Sequence, residues 1–130
     1  MKTSRILYWS PRILSILFIC FLTMFSFDVF EPGSSVGEIA LGLLVHNIPS
    51  IILIILLIIA WRKDIVGAVT YLGASLLYVG LVINQVASSG LPWFTAITRS
   101  IPLAVPAFVT GILFLISWRN RREKAVKSAY

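Results

Sequence analysis

His46 is the only histidine in the chain, and its unperturbed pKa of about 6.5 suits it to moving a proton or holding a ligand. It stands inside Ile39–Trp61, a run without Asp, Glu, Lys or Arg. An ionisable group in such a run is costly and calls for a polar partner. Asn47 follows it, and Asn84 and Thr110 are expected at similar depth on other helices. Pro49 cannot donate to the carbonyl of Val45 and so frees an acceptor beside the imidazole, and Pro106 likewise frees that of Pro102. His46, Asn47, Asn84 and Thr110 therefore form a candidate polar site, with room for a water, a proton or a small ligand. The competing reading is that neutral His46 hydrogen-bonds Asn84, Thr110 or a carbonyl and joins helices, a common use of buried polar residues in bundles.

Other chemistry is sparse. Intramembrane hydrolysis requires an activated Ser, an Asp pair or a metal centre, and no such constellation stands out. A single His excludes bis-histidine haem ligation within one chain. The lone Cys20 excludes an internal disulfide and a Cys-based metal site. No phosphate-cradling glycine loop appears. The expectation is a protein that is not an enzyme, with no catalytic, cofactor-binding or metal-binding residues and no cofactor.

The elements that hold these residues follow from composition. Of 130 residues, 58% are hydrophobic and 12% charged, with a mean hydropathy of +0.96; that much apolar surface would aggregate in water, so lipid must be the solvent. Four stretches lack charge: Ile13–Phe27, Ile39–Trp61, Ile65–Thr98 and Ser100–Trp118. About 20 helical residues cross a hydrocarbon core of about 30 Å. The first stretch is short, so Arg12 is expected to snorkel while Val29 and Phe30 add apolar length. The third is too long for one span, and Ser88-Ser89-Gly90-Leu91-Pro92 divides it. The fold class expected is an all-α membrane protein, a single domain over 1–130 forming an up-down bundle of four transmembrane helices. Their expected extents are about 11–30, 36–61, 65–87 and 100–118, with a basic tail over 119–130. Lys2, Arg5 and Arg12 precede an apolar run as in a signal peptide, but no small-x-small cleavage site follows, so the first helix reads as a retained anchor.

Charge orients the bundle. The net charge is +6 and the pI about 10.0, yet nucleic acid is not the expected partner, because the basic residues sort by side. Lys2, Arg5 and Arg12 precede helix 1, Arg62 and Lys63 lie between helices 2 and 3, and five more follow helix 4, leaving Arg99 alone opposite Asp28, Glu31 and Glu38. By the positive-inside rule both termini are expected to be cytoplasmic (N-in/C-in). Arg119-Asn120-Arg121-Arg122-Glu123-Lys124 could contact anionic lipids, or simply fix topology. Arg99 is expected to pair with Asp28 or Glu31.

Local signals agree. Ser35-Val36-Gly37-Glu38 matches a capping box before helix 2, and Asp64 is expected to cap helix 3. Tyr8, Trp9, Trp61, Trp93 and Trp118 fall near the interfaces. Interior faces, marked by small and polar residues, read as Ser15, Ile19, Thr23 and Ser26 on helix 1, and Glu38, Gly42, His46 and Ser50 on helix 2. Thr70, Gly73, Leu77, Gly80, Asn84 and Ala87 mark helix 3, and Arg99, Pro102, Pro106, Thr110 and Ser117 mark helix 4. Polar residues gather in the outer half, whereas Ile51–Ala60 has no polar side chain.

Four spans invite comparison with small multidrug-resistance transporters, which carry a carboxylate in the middle of helix 1, but Ile13–Phe27 contains no acid. No inverted repeat is apparent. The segments Arg5-Ile6-Leu7-Tyr8-Trp9, Pro11-Arg12-Ile13-Leu14-Ser15-Ile16-Leu17-Phe18, Asp28-Val29-Phe30, His46 with Pro49, Ala60-Trp61-Arg62 and Gly111-Ile112-Leu113-Phe114-Leu115-Ile116-Ser117-Trp118 resemble a family of short four-helix prokaryotic membrane proteins of unknown function. The resemblance implies four helices and a membrane location, and it supplies no functional residues. Two functions stand as expectations. One is an accessory or structural membrane protein packing against itself, as a homo-oligomer, or against a larger membrane partner. The other is a small transporter or sensor using the His46 region.

Overall fold

A computed structural model describes the backbone of residues 2–24, 26–27, 30 and 32–129. Four helices appear in it: α1 (Lys2–Met24), α2 (Val36–Arg62), α3 (Asp64–Ser88) and α4 (Trp93–Lys127). All four are long and apolar enough to cross a membrane. Each helix packs against its two chain neighbours around a ring, α1 closing on α4, and the α3–α4 contact is the most extensive.

Chain chemistry sets the joints. The Ser35 hydroxyl accepts from the Glu38 amide at 3.3 Å, while the Glu38 carboxylate accepts from the Ser35 amide at 2.8 Å, the reciprocal capping box expected for α2. Lys63 alone separates α2 from α3, so the two helices run antiparallel. At the far end of α3, Gly90 adopts φ +64° and the Leu91 amide reaches the Val86 carbonyl at 3.3 Å. That is a Schellman closure, which a residue with a Cβ would resist. Pro92 follows it, and α4 begins at Trp93.

Two helices outrun the extents expected from hydropathy. α4 starts at Trp93 rather than near residue 100 and continues through the basic tail to Lys127; its 35 residues span about 52 Å, well beyond a hydrocarbon core of about 30 Å. α1 starts at Lys2 rather than near residue 11 and ends its α-helical run at Met24, with a 3₁₀ turn over residues 26–27. Arg12 does not snorkel: it is fully buried, and the helical turn before it supplies a partner carbonyl at Tyr8.

The core runs along the ring's axis. Phe18, Tyr71 and Phe114 form a file, with Tyr71 centroids 6.0 Å from each of the other two rings. Leu53, Leu57, Ala60, Ala68 and Ala107 surround it. α3 and α4 approach closely because each offers a glycine: a Cβ on Gly67 would lie 2.7 Å from the Phe114 ring, and one on Gly111 would lie 2.9 Å from the Leu72 amide nitrogen. Small residues at a helix crossing let the two backbones approach this closely.

The interior faces differ from expectation on α3. Its buried stripe is Asp64, Gly67, Ala68, Tyr71, Ser75, Val82 and Val86. Gly73, Leu77, Gly80, Asn84 and Ala87 face outward instead, and a Cβ on Gly73 or Gly80 would meet nothing within 4 Å. Of the faces expected elsewhere, Ser15 and Ile19 on α1, Ser26 just past its end, Ser50 on α2 and Thr110 and Ser117 on α4 are buried, whereas Thr23, Glu38, His46, Arg99 and Pro102 are exposed.

Candidate functional site

A dense polar arrangement lies at the α2–α3 junction, reached by Arg12 from midway along α1 and by Ser117 and Arg121 of α4. Its centre is Asp64, the first residue of α3. It is 3% exposed, and Arg12 facing it is wholly buried. Asp64 does not cap α3 with its side chain; Lys63 holds the N-cap position and makes no side-chain cap bond. The carboxylate turns inward instead.

Asp64 Oδ1 accepts from Arg12 Nη2 at 2.6 Å and from Arg121 Nη2 at 2.5 Å. Oδ2 accepts from Arg121 Nε at 2.7 Å and from Ser117 Oγ at 2.9 Å. Four donors on two oxygens use the full acceptor capacity of an ionised carboxylate. Arg121 engages it with two parallel bonds, the strong and geometrically specific arrangement. Ser117 and Arg121, four apart on α4, share a face as helical spacing requires.

Arg12 is held from several sides. Nη1 donates to the Tyr8 carbonyl one turn back, and Nη2 also reaches the Trp61 carbonyl at 3.3 Å. Trp61 lies in the last turn of α2, where carbonyls lack helical partners and a cation is favoured. The guanidinium sits 3.7 Å from the Tyr8 ring centroid, within cation–π range. Arg12 thus ties α1 to the end of α2 and the start of α3, and Arg121 ties α4 to the same carboxylate. Two guanidinium groups face one carboxylate, so the cluster carries an excess positive charge.

The four residues of the candidate polar site are not drawn together. Thr110 is fully buried and donates to the Pro106 carbonyl at 2.7 Å in its own helix. His46 is exposed, and its Nδ1 lies 3.1 Å from the Gly42 carbonyl one turn back. Asn47 is half-buried and donates to the Leu43 carbonyl at 2.8 Å. Asn84 faces outward on α3. These bonds are all local to one helix, so they do not build a shared ligand cage. The expected partners of Arg99, Asp28 and Glu31, lie outside the described residues.

Between the helices is an apolar crevice of about 630 Å³ that reaches Phe18, Leu53 and Ala107. Pro49 and Ile52 of α2 and Gly73 and Ala74 of α3, all exposed, form its lip. Ser75 in its wall donates to the Leu72 carbonyl.

No single sequence motif marks the Asp64 cluster. The available signals were the i, i+3 pair of Arg12 and Ser15, the i, i+4 pair of Ser117 and Arg121, and an acid set between basic residues and an apolar run. No curated protein and no solved structure matches the chain. A family model described as a domain of unknown function (DUF7670) matches residues 1–126, nearly the whole length, and the chain belongs to that family.

Proposed function

We propose that the chain is a multi-pass protein of the cytoplasmic membrane of a prokaryotic cell, with both termini in the cytoplasm. It acts as an accessory or structural component through contact with itself or a larger membrane partner, and catalyses no reaction. The observation that carries this reading is the saturation of the Asp64 carboxylate. The charged side chains that converge on Asp64 are spent on binding four helices together, and so act as a fixed strut. A broad apolar exterior, with Ile, Leu, Val and Phe exposed along all four helices, suits contact with lipid and neighbouring helices. The sorting of basic residues supports the orientation.

A transporter or sensor working through His46 is the weaker reading, since His46 and Asn84 face outward while Thr110 faces inward.

Two measurements test the proposal. A membrane-impermeant thiol reagent applied to cells carrying Ser35→Cys in a Cys20→Ala background should label residue 35 from outside; labelling only after the membrane is inverted overturns the orientation. Crosslinking in native membranes should give adducts, either at multiples of 14.4 kDa or with a larger protein. A chain recovered solely as uncrosslinked monomer sinks the accessory role.

A further inference from the structure

Beside the Asp64 cluster, a pocket of about 300 Å³ opens at the junction of α2, α3 and the last turns of α4. Four cationic residues line it: Arg62, Lys63, Arg121 and Arg122. The one acid in its wall, Asp64, is already bonded by Arg12, Arg121 and Ser117, so it does not neutralise the rest. Arg62 and Lys63 make no side-chain hydrogen bond or ion pair among the described residues. Arg122 is steered by stacking, its guanidinium 4.9 Å from the Trp118 ring centroid.

From this arrangement we infer that the pocket is a binding site for the phosphate of an anionic phospholipid headgroup. Arginines supply planar forks matched to phosphate oxygens, and Lys63 a compact point charge. The pocket also opens onto the first turn of α3, whose N-cap residue makes no side-chain bond to the free amides, and a helix start favours an anion. The remaining lining distinguishes a lipid from a free anion. Ile65 of α3 and Trp118 and Ala125 of α4 add apolar lining, and Trp is the side chain that settles at the level of lipid headgroups. α4 continues past the pocket as a basic helix, Lys124 and Lys127 included. A phosphodiester seated here could therefore run its glycerol backbone toward the hydrocarbon without leaving the protein surface.

The inference rests on the reading of the chain as a bilayer protein and is tested separately from it. Full-length protein in a neutral detergent is titrated with short-chain phosphatidylglycerol, with phosphatidylcholine of the same chain length, and with inorganic phosphate, following the thermal midpoint. The wild type should be stabilised by phosphatidylglycerol alone. In R62Q/K63Q/R122Q, whose substituted side chains are exposed and leave the Arg12–Asp64–Arg121 bonds intact, the unliganded midpoint should stay put. Its apparent affinity for phosphatidylglycerol should fall about a hundredfold, as expected for removing three basic contacts at a lipid surface. Equal stabilisation by the two lipids, an undiminished response in the variant, or an equal response to inorganic phosphate each overturns the headgroup site. Failure of the wild type to insert into vesicles of either lipid would instead bring down the bilayer reading itself.

Discussion

Arg12 and Asp64, 52 residues apart in sequence, meet at 2.6 Å with both side chains out of contact with solvent. A charge pair taken from water loses several kcal/mol of hydration per ion, regained only where the remaining hydrogen-bonding capacity is satisfied. Asp64 is satisfied fully and Arg12 in part, since Arg12 Nε has no partner. Asp64→Asn would leave a buried guanidinium without its counter-charge and should cost about 3–5 kcal/mol. Arg121→Ala, removing a side chain that is 46% exposed, should cost about 1 kcal/mol or less. Unfolding in detergent followed by circular dichroism measures both. An Asp64→Asn protein as stable as the wild type would mean the cluster does not hold the ends together.

Paired charges and apolar replacements should behave differently. Arg12→Leu with Asp64→Leu removes both ions and both desolvation costs, so the double variant should be more stable than Asp64→Asn alone. If the double variant is the less stable, the bonds of Arg12 to the Tyr8 and Trp61 carbonyls outweigh the pair.

Glycines offer a test of rotation about the helix axes. Gly67→Ala and Gly111→Ala place a methyl against Phe114 and Leu72 and should each cost about 1–3 kcal/mol through overpacking. Gly73→Ala and Gly80→Ala meet nothing and should be neutral or gain up to about 1 kcal/mol from helix propensity. The reverse ranking would rotate α3 to the face marked by Gly73 and Gly80.

That rotation is where the sequence was least legible. Four apolar runs, the Ser35–Glu38 box and the Gly90 break are local patterns, readable because composition, capping and glycine act within a few residues. Which way α3 turns is decided by Asp64, whose neighbours at helical spacing, Gly67, Ala68, Tyr71 and Ser75, are carried inward with it. Burying a carboxylate depends on Arg12 and Arg121, supplied by helices distant in sequence, so no window on α3 alone could reveal it. The stripe of Gly73, Gly80 and Asn84 has the pattern of an interior seam, because small and polar residues commonly mark one, yet it faces outward. Thr110 does lie in the interior, as the same rule implies, and its hydroxyl is occupied by the Pro106 carbonyl, a partner that four-residue spacing provides without any second helix.

His46→Leu should change stability by less than about 0.5 kcal/mol, as for an exposed residue whose hydrogen bond stays within one helix turn. A large loss on thermal unfolding would show that His46 joins helices. Asn84→Leu, facing outward on α3, should be equally silent, and the two substitutions combined should be additive, since coupling is expected only between residues that share a contact.

The crevice lip makes the last prediction one of gain. Ala74 is exposed at the mouth of an apolar space of about 630 Å³, and a leucine there has room to lie inward against Phe18 and Leu53 without displacing backbone. Filling such a space commonly adds about 0.5–2 kcal/mol, so Ala74→Leu should raise the thermal midpoint in detergent. Ala68, six residues earlier on the helix and 1% exposed, has no such room, and Ala68→Leu should lower the midpoint by overpacking, at about 1–3 kcal/mol. The same chemical change thus carries opposite signs at two positions on one helix. Loss at both would mean that α2 and α3 close together and leave no crevice between them.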